Sequence, residues 1–242
     1  MPDAIFDHPR LAAIYDPLDP VRDDLDVYVG IADELGARSV LDIGCGTGTF
    51  ALMLAARGID VTAVDPAAGS LDVARVKPGA ARVRWIHGDA SDLPAMRVDL
   101  ATMTANVAQA IVEPALWAHT LRGAHNALRP GGHLVFETRI AARKAWLSWN
   151  RAESYRVSDI DGVGAVENWV ELLDVSLPLV TFRSTYVFAS DGQTLTSEST
   201  LRFRERDEIE ADLAAHGYTV EEVRDAPDRP GREYVFLART NL

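Results

Sequence analysis

Cysteine is almost absent from this chain of 242 residues: Cys45 is the only one. A single cysteine excludes an internal disulfide and fits a reducing compartment. Basic side chains are also scarce beside acidic ones, 24 against 36, for a formal net charge of −12. A nucleic-acid backbone must be met by Lys and Arg, so no nucleic-acid partner is expected. No apolar run is long enough to span a bilayer, and Met1–Arg10 has no hydrophobic signal core. The expectation is a cytoplasmic protein with no membrane partner. The six histidines are scattered, and no His/Cys/carboxylate cluster has metal-ligand spacing, so no metal is expected. There is no internal repeat, and no Gly-Lys-Ser/Thr, which excludes a phosphate-cradling P-loop.

What the chain does have is an apolar share of 48%, enough for a substantial core, over a length that suits one α/β domain or one with an inserted subdomain. Its most informative stretch is Val40-Leu41-Asp42-Ile43-Gly44-Cys45-Gly46-Thr47-Gly48-Thr49-Phe50. A β-branched run ends at Asp42, turns through three glycines and opens into a helix-like pattern. Such a turn lets a ligand approach the backbone closely and sets it beside the free N–H groups of a helix start. Asp60–Asp65 reads as a second strand ending in a carboxylate, at about the interval expected for an acid that grips ribose hydroxyls. NAD and S-adenosylmethionine (SAM) sites share that device. The glycines separate them. The dinucleotide fingerprint needs Gly-x-Gly-x-x-Gly/Ala, whereas here the spacing is Gly-x-Gly-x-Gly and Thr49 stands at the last position.

With these motifs in place the chain resembles the class I SAM-dependent methyltransferases of the small-molecule type. The series continues with a third strand at Val83–Ile86, Gly88-Asp89-Ala90, a fourth strand at Val98–Met103, and Leu128–Phe136 as turn and fifth strand. The match is close over about residues 35–140 and extends to the rest in layout. It implies SAM as cofactor and a seven-stranded, mostly parallel Rossmann-like sheet with helices on both faces. It also implies site roles. Asp42 would support the methionine amino end, with Gly44, Cys45, Gly46 and Gly48 forming the cradle. Asp65 would take the ribose, Pro66 would pack near the adenine, and Asp89 with the backbone of Ala90 would hold the adenine amino group. Thr104 and Ala105 would border the methionine part. Bland alternatives stand beside these: a small residue filling the turn for Cys45, a turn-capping acid for Asp42, an Asx turn for Asp89.

Helical spacing predicts helices over 22–36, Phe50–Arg57, Gly69–Val76, Pro114–Leu128 (with Leu116, Leu121, Ala124 and Leu128 as its buried stripe), 139–152 and Arg206–His216. Glu167–Leu173, Leu179–Ala189 and Thr194–Arg204 read as strands, the last two joined by Ser190-Asp191-Gly192-Gln193, and Tyr218–Arg224 with Glu233–Arg239 as a final antiparallel pair. The whole, residues 1–242, reads as a single domain carrying an antiparallel β insertion at 155–204. The insertion is expected to cover the substrate; its alternative use is association into a homodimer, since an apolar hairpin face needs a partner. Candidates on the substrate side are Tyr15, Asn106, Glu137 and Arg139. Glu137 could orient or deprotonate an amine or hydroxyl, and Arg139 could bind an acidic group. Asn106 and Gln109 also match a capping box. Trp146 and Trp149 read as packing residues. The expected activity is methyl transfer to a nitrogen or oxygen nucleophile of a small molecule. The alternatives are a non-catalytic protein that binds SAM or S-adenosylhomocysteine (SAH), and methylation of a protein.

Overall fold

The structure, a computed structural model, describes residues 2–241. Helices in chain order are α1 (Ala4–Asp7), α2 (Pro9–Leu18), α3 (Asp26–Glu34), α4 (Thr49–Ala56), α5 (Ala68–Val76), α6 (Val107–Ala110), α7 (Pro114–Ala127), α8 (Arg151–Ser154) and α9 (Arg206–Ala215). Strands are β1 (Ser39–Ile43), β2 (Asp60–Asp65), β3 (Val83–His87), β4 (Val98–Met103), β5 (Leu128–Arg139), β6 (Arg156–Ile160), β7 (Gly164–Ser176), β8 (Leu179–Phe188), β9 (Thr194–Arg202), β10 (Tyr218–Asp225) and β11 (Glu233–Thr240).

Seven strands form one sheet in the order β10-β11-β5-β4-β1-β2-β3. β1 to β5 pair in parallel, and β11 runs antiparallel between β5 and β10. Central strands such as Val40–Ile43 and Leu100–Met103 are buried along their length, as a sheet covered on both faces demands. α7 and α9 pack on one face through Trp117, Leu121, Ala124, Ile209 and Leu213. α3 and α4 pack on the other through Tyr28, Val29, Phe50 and Leu54. The chain passes from β1 outward to β3 and returns to β4 on the opposite side of β1, so the strand order reverses there. Ligands of open α/β sheets bind beyond the strand ends at such a reversal.

Strands β6–β9 form a second, antiparallel sheet. Its apolar face is covered within the chain. Ile160, Val166, Tyr186 and Phe188 pack on Ile5, Leu11 and Ile14 of α1 and α2. Val180 packs with Ala141, Trp146 and Phe203. Arg10 fastens the two layers, stacking 3.7 Å from the Phe188 ring and pairing with Asp191 at 2.7 Å.

The structure departs from the sequence expectations in four places. Residues 139–152 are not one helix. β5 runs on to Arg139, opposite Glu233, and two short 3-10 turns follow, separated by Lys144 in the left-handed region (φ 49°). β6 escapes the sequence pattern because it is an edge strand with only Ile160 fully buried. α1 and α2 were also unforeseen. They are split at His8-Pro9, where Pro9 opens the new helix and the His8 ring accepts from the Arg10 N–H. Leu116 is half-exposed rather than part of the α7 stripe, because it faces a cavity.

Candidate functional site

The glycine turn is held against β2 by its own backbone: the N–H groups of Gly44 and Cys45 both donate to the Val64 carbonyl, at 2.8 and 3.2 Å. Gly44, Gly46 and Gly48 all take positive φ, which L side chains rarely adopt. Beyond the turn, at the strand reversal, lies a cavity of about 420 Å³, in the size range of small-ligand sites. Gly44, Cys45, Gly46, Asp65, Pro66, Asp89, Ala90, Thr104 and Ala105 line it. Two expected cradle residues do not. Gly48 is turned toward the core, where an added Cβ would lie 2.4 Å from the Trp85 ring. Asp42 is buried off the cavity wall. Its Oδ1 accepts from the Thr102 hydroxyl at 3.1 Å and its Oδ2 has no partner. Burial pushes its carboxyl up to about 7 against the help of Thr102.

Asp65 stands at the end of β2 with one oxygen accepting from Gly46 N–H and the other from Ala67 N–H, both at 2.7 Å. Each oxygen keeps a lone pair to spare, so the carboxylate ties the turn together and still presents acceptors to the cavity. Burial raises it from the ordinary carboxylate range. Asp89 has two roles as well: its Oδ1 closes an Asx turn on Ser91 N–H at 2.7 Å while the residue lines the cavity. Cys45 is a poor nucleophile, because burial and the charges of Asp42 and Asp65 push its thiol well above the usual range.

Helices α1 and α2 roof this cavity. Phe6 and Tyr15 line it. Asp16 anchors the roof, accepting from Thr47 Oγ1 at 2.6 Å and pairing with Lys77 at 2.5 Å. At the other end Ser70 Oγ donates to the Phe6 carbonyl at 2.7 Å.

A second cavity, about 280 Å³, adjoins the first and shares Tyr15, Arg22 and Ala105 with it. All four substrate-side candidates, Tyr15, Asn106, Glu137 and Arg139, line it. The structure therefore brings them together at the ends of β4 and β5. Ala105 and Asn106 form the turn between the two cavities, and both are non-glycine residues at positive φ, 57° and 62°. Asn106 does not cap α6 as the capping-box spacing suggested. Its left-handed backbone turns its side chain to Glu233, at 3.3 Å, and its N–H to the Glu137 carboxylate. Gln109 likewise turns inward, where its Oε1 accepts from Arg139 Nη1 at 3.2 Å.

Several lining residues were missed from sequence: Tyr28 on α3, Asn168 and Tyr186 on the second sheet, and Asp228, Arg229 and Glu233 before and at the start of β11. Only the last group had a signal. β11 is antiparallel to β5 with Glu233 opposite Arg139, so the first residues of β11 share the edge where the parallel strands end. Among the described residues, no group of three or more His, Cys, Asp or Glu side chains is placed to hold a metal ion. Among the described residues, no helix is long and apolar enough to cross a membrane.

An open α/β sheet with a glycine turn, an acid ending β2 and a second acid after β3 is an arrangement in which α/β proteins take nucleosides. Residues 40–132 match the family described as "Methyltransferase domain". The malonyl-[acyl-carrier protein] O-methyltransferase of Serratia marcescens is 32% identical over 154 residues, 61% of this chain and 57% of that protein. The chain thus spans little more than half the length of that relative. Among solved structures, a SAM-dependent methyltransferase from Clostridium acetobutylicum superposes with a TM-score of 0.78 at 20% identity, covering 97% of this chain and 99% of the other. SAM-bound CalS10, an amino pentose methyltransferase from Micromonospora echinaspora, gives 0.71 at 20% identity, covering 94 and 95%. Residues 40–132 are thus similar to a methyltransferase domain, and the chain as a whole shares the fold of SAM-dependent methyltransferases of known structure.

Proposed function

We propose that this chain transfers a methyl group from SAM to a nucleophile on a small molecule. The observation that carries the reading is the pair of adjoining cavities: one built from the family's cofactor motifs, the other polar and separated from it by the strained Ala105–Asn106 turn. Bound SAM supplies a methyl group on a sulfonium, already an excellent leaving group. Asp65 would hold the ribose, Pro66, Asp89 and Ala90 the adenine end, and Gly44, Gly46, Thr104 and Ala105 the methionine end. The Asp42 Oδ2, buried and unpartnered, would take part only through an intervening group. What remains for the protein is alignment of the acceptor with the methyl carbon, and such positioning is worth up to about 7–11 kcal/mol in favourable cases. Tyr15, shared by both cavities, is placed to pack on cofactor and acceptor together. Asn168 and Tyr186 bring the second sheet to the acceptor cavity, which supports its role as a substrate cover.

Of the similar proteins, one is a malonyl-[acyl-carrier protein] O-methyltransferase and another an amino pentose methyltransferase, so acceptors of different chemistry occur among them. The test is a screen of amines, phenols, sugars and carboxylates with methyl-labelled SAM, alongside calorimetry with SAH in chelator. SAH binding and a labelled product are expected. Tight NAD binding without SAH binding would overturn the reading, and SAH binding with no acceptor in any class would favour a non-catalytic binding protein.

A further inference from the structure

Glu137 is the one acid in the acceptor cavity that is both fully buried and without a cation. The three arginines of that cavity are engaged elsewhere. Arg22 holds Asp24 through two hydrogen bonds at 2.9 and 3.0 Å. Arg229 pairs with Glu233 at 2.8 Å and Asp228 at 3.3 Å. Arg139 donates to Gln109 Oε1 and lies 3.6 Å from Glu233. Among the described residues, no Lys or Arg pairs with Glu137. One of its oxygens accepts the Asn106 N–H; the other, Oε2, has no partner at hydrogen-bond distance, with the Tyr28 hydroxyl of α3 near the carboxylate, although the residue is only 2% exposed. A buried, unsatisfied acceptor is costly, and more so when charged, so the site is built for a ligand that donates. A carboxylate cannot be re-read by flipping, as an amide can; ionised, it only accepts.

We infer that the acceptor is a primary or secondary amine, which enters as the ammonium and gives its proton to Glu137 Oε2. This rests on the methyltransferase reading above and names its substrate class. Three physical points favour an amine over the other nucleophiles. With every guanidinium of the cavity occupied and Glu137 and Asp19 unpaired, the excess charge is negative and attracts a cation while repelling a carboxylate or phosphate. An alkylammonium loses its proton in the range of about 8–10, within reach of a buried carboxylate. An alcohol holds its proton about as tightly as water does, far beyond that reach. A phenol falls in range but would have to become an anion beside Glu233 and Glu137 itself.

The step balances. The N–H bond breaks and an O–H bond forms on Glu137, while the electron pair stays on nitrogen. That pair makes the new N–C bond to the methyl as the C–S bond breaks onto sulfur. The acid is tuned for this work. Burial raises Glu137 to about 7, with Glu233 of β11 adding to the rise and the Asn106 N–H, Tyr28 of α3 and Arg139 of β5 opposing it. Asp42 of β1 is the remaining acid close enough to interact with it.

The experiment uses the full chain loaded with SAH and carrying 13C-carboxyl glutamate. Benzylamine, piperidine and glucosamine are titrated against benzyl alcohol, phenol and glucose, with Glu137→Gln identifying the Glu137 resonance. At least one amine is expected to shift that resonance and the hydroxyl counterparts are not. In turnover with labelled SAM, the label is expected on nitrogen, and Glu137→Gln should lower the rate at least 100-fold and remove the acidic limb of the pH profile. SAH affinity of the variant should stay within about threefold, because Glu137 does not line the cofactor cavity. Label on oxygen, an unmoved Glu137 resonance with every amine, or full activity in Glu137→Gln overturns the inference. Failure of wild-type protein to bind SAH overturns the methyltransferase reading instead.

Discussion

Asp65 shows how one side chain can tie a turn together and still face a cavity. The sequence marks it as an expected ribose acid, a role whose loss would by itself spare folding. Its two 2.7 Å bonds to Gly46 and Ala67 N–H groups change that expectation. Asp65→Ala should cost cofactor affinity at least tens-fold, from the loss of charge-assisted bonds at about 1.5–3 kcal/mol each. It should also lower stability by about 1–3 kcal/mol, because two backbone donors lose their acceptor. Calorimetry with SAH and a urea midpoint measure the two effects separately; unchanged stability would mean that water replaces the carboxylate. Asp65 and Asp89 were legible because strand-end acids recur at set intervals from the glycine turn. Glu233 and Arg229 carry no local mark; the pointer to them is the antiparallel pairing that sets Glu233 opposite Arg139.

The amino-terminal helices are the element that links the two sheets. α2 reaches the glycine turn through Asp16, and α1 and α2 cover the apolar face of the β6–β9 sheet. Asp16→Ala removes the contacts to Thr47 and Lys77 without touching the core. It is expected to speed SAH release several-fold in stopped-flow, with a small change in thermal midpoint. An unchanged release rate would show that the roof stays closed without this anchor. Deletion of 155–204 would remove the sheet on which the roof packs, so SAH binding should weaken along with turnover. A different constraint fixes α7. An added Cβ at Gly123 would lie 2.0 Å from the Ala90 carbonyl, so the helix can approach the cavity wall only with glycine there. Gly123→Ala should destabilise by about 1–3 kcal/mol or more through overpacking and weaken SAH binding by moving Ala90. A urea midpoint equal to wild type would refute the close contact.

For the molecule as a whole, the buried acids set the pH response. Asp42 and Glu137 are both raised to about 7, chiefly by burial, and Asp65 is raised too. The native state therefore keeps protons that the unfolded chain gives up near pH 4. Stability from these groups is fully present below that pH and is lost as pH rises through about 7. Asp99 works in the opposite sense. Burial pushes it up, but the N–H groups of Arg38 and Ser39, with Arg129, hold it below its ordinary value, so its contribution is lost as pH falls through the acid range. The ligand-free protein should be most stable at about pH 5–6, with Tm falling by roughly 5–10 °C toward pH 8, as a loss of a few kcal/mol implies at this size. Scanning calorimetry tests this, and Glu137→Gln should flatten the slope. A Tm that rises between pH 6 and 8 would contradict the burial of these acids.

The periodicity of 40–140 and its glycine and acid spacing determined the parallel sheet, the cofactor motifs and most of the cavity wall, because those features rest on local backbone geometry and short-range order. That Glu137, Asn106 and Arg139 lie together on a cavity wall was also readable, since they follow strands whose ends line up along one edge of the sheet. Only the tertiary structure decided that Gly48 faces Trp85 while its neighbours face the cavity, and that Asn106 turns toward Glu233 rather than capping a helix. It also decided that the insertion's apolar face is met by α1 and α2 of the same chain. Burial and charge pairing depend on what folds in from hundreds of residues away, and no spacing along the chain encodes which arginine is left for which acid.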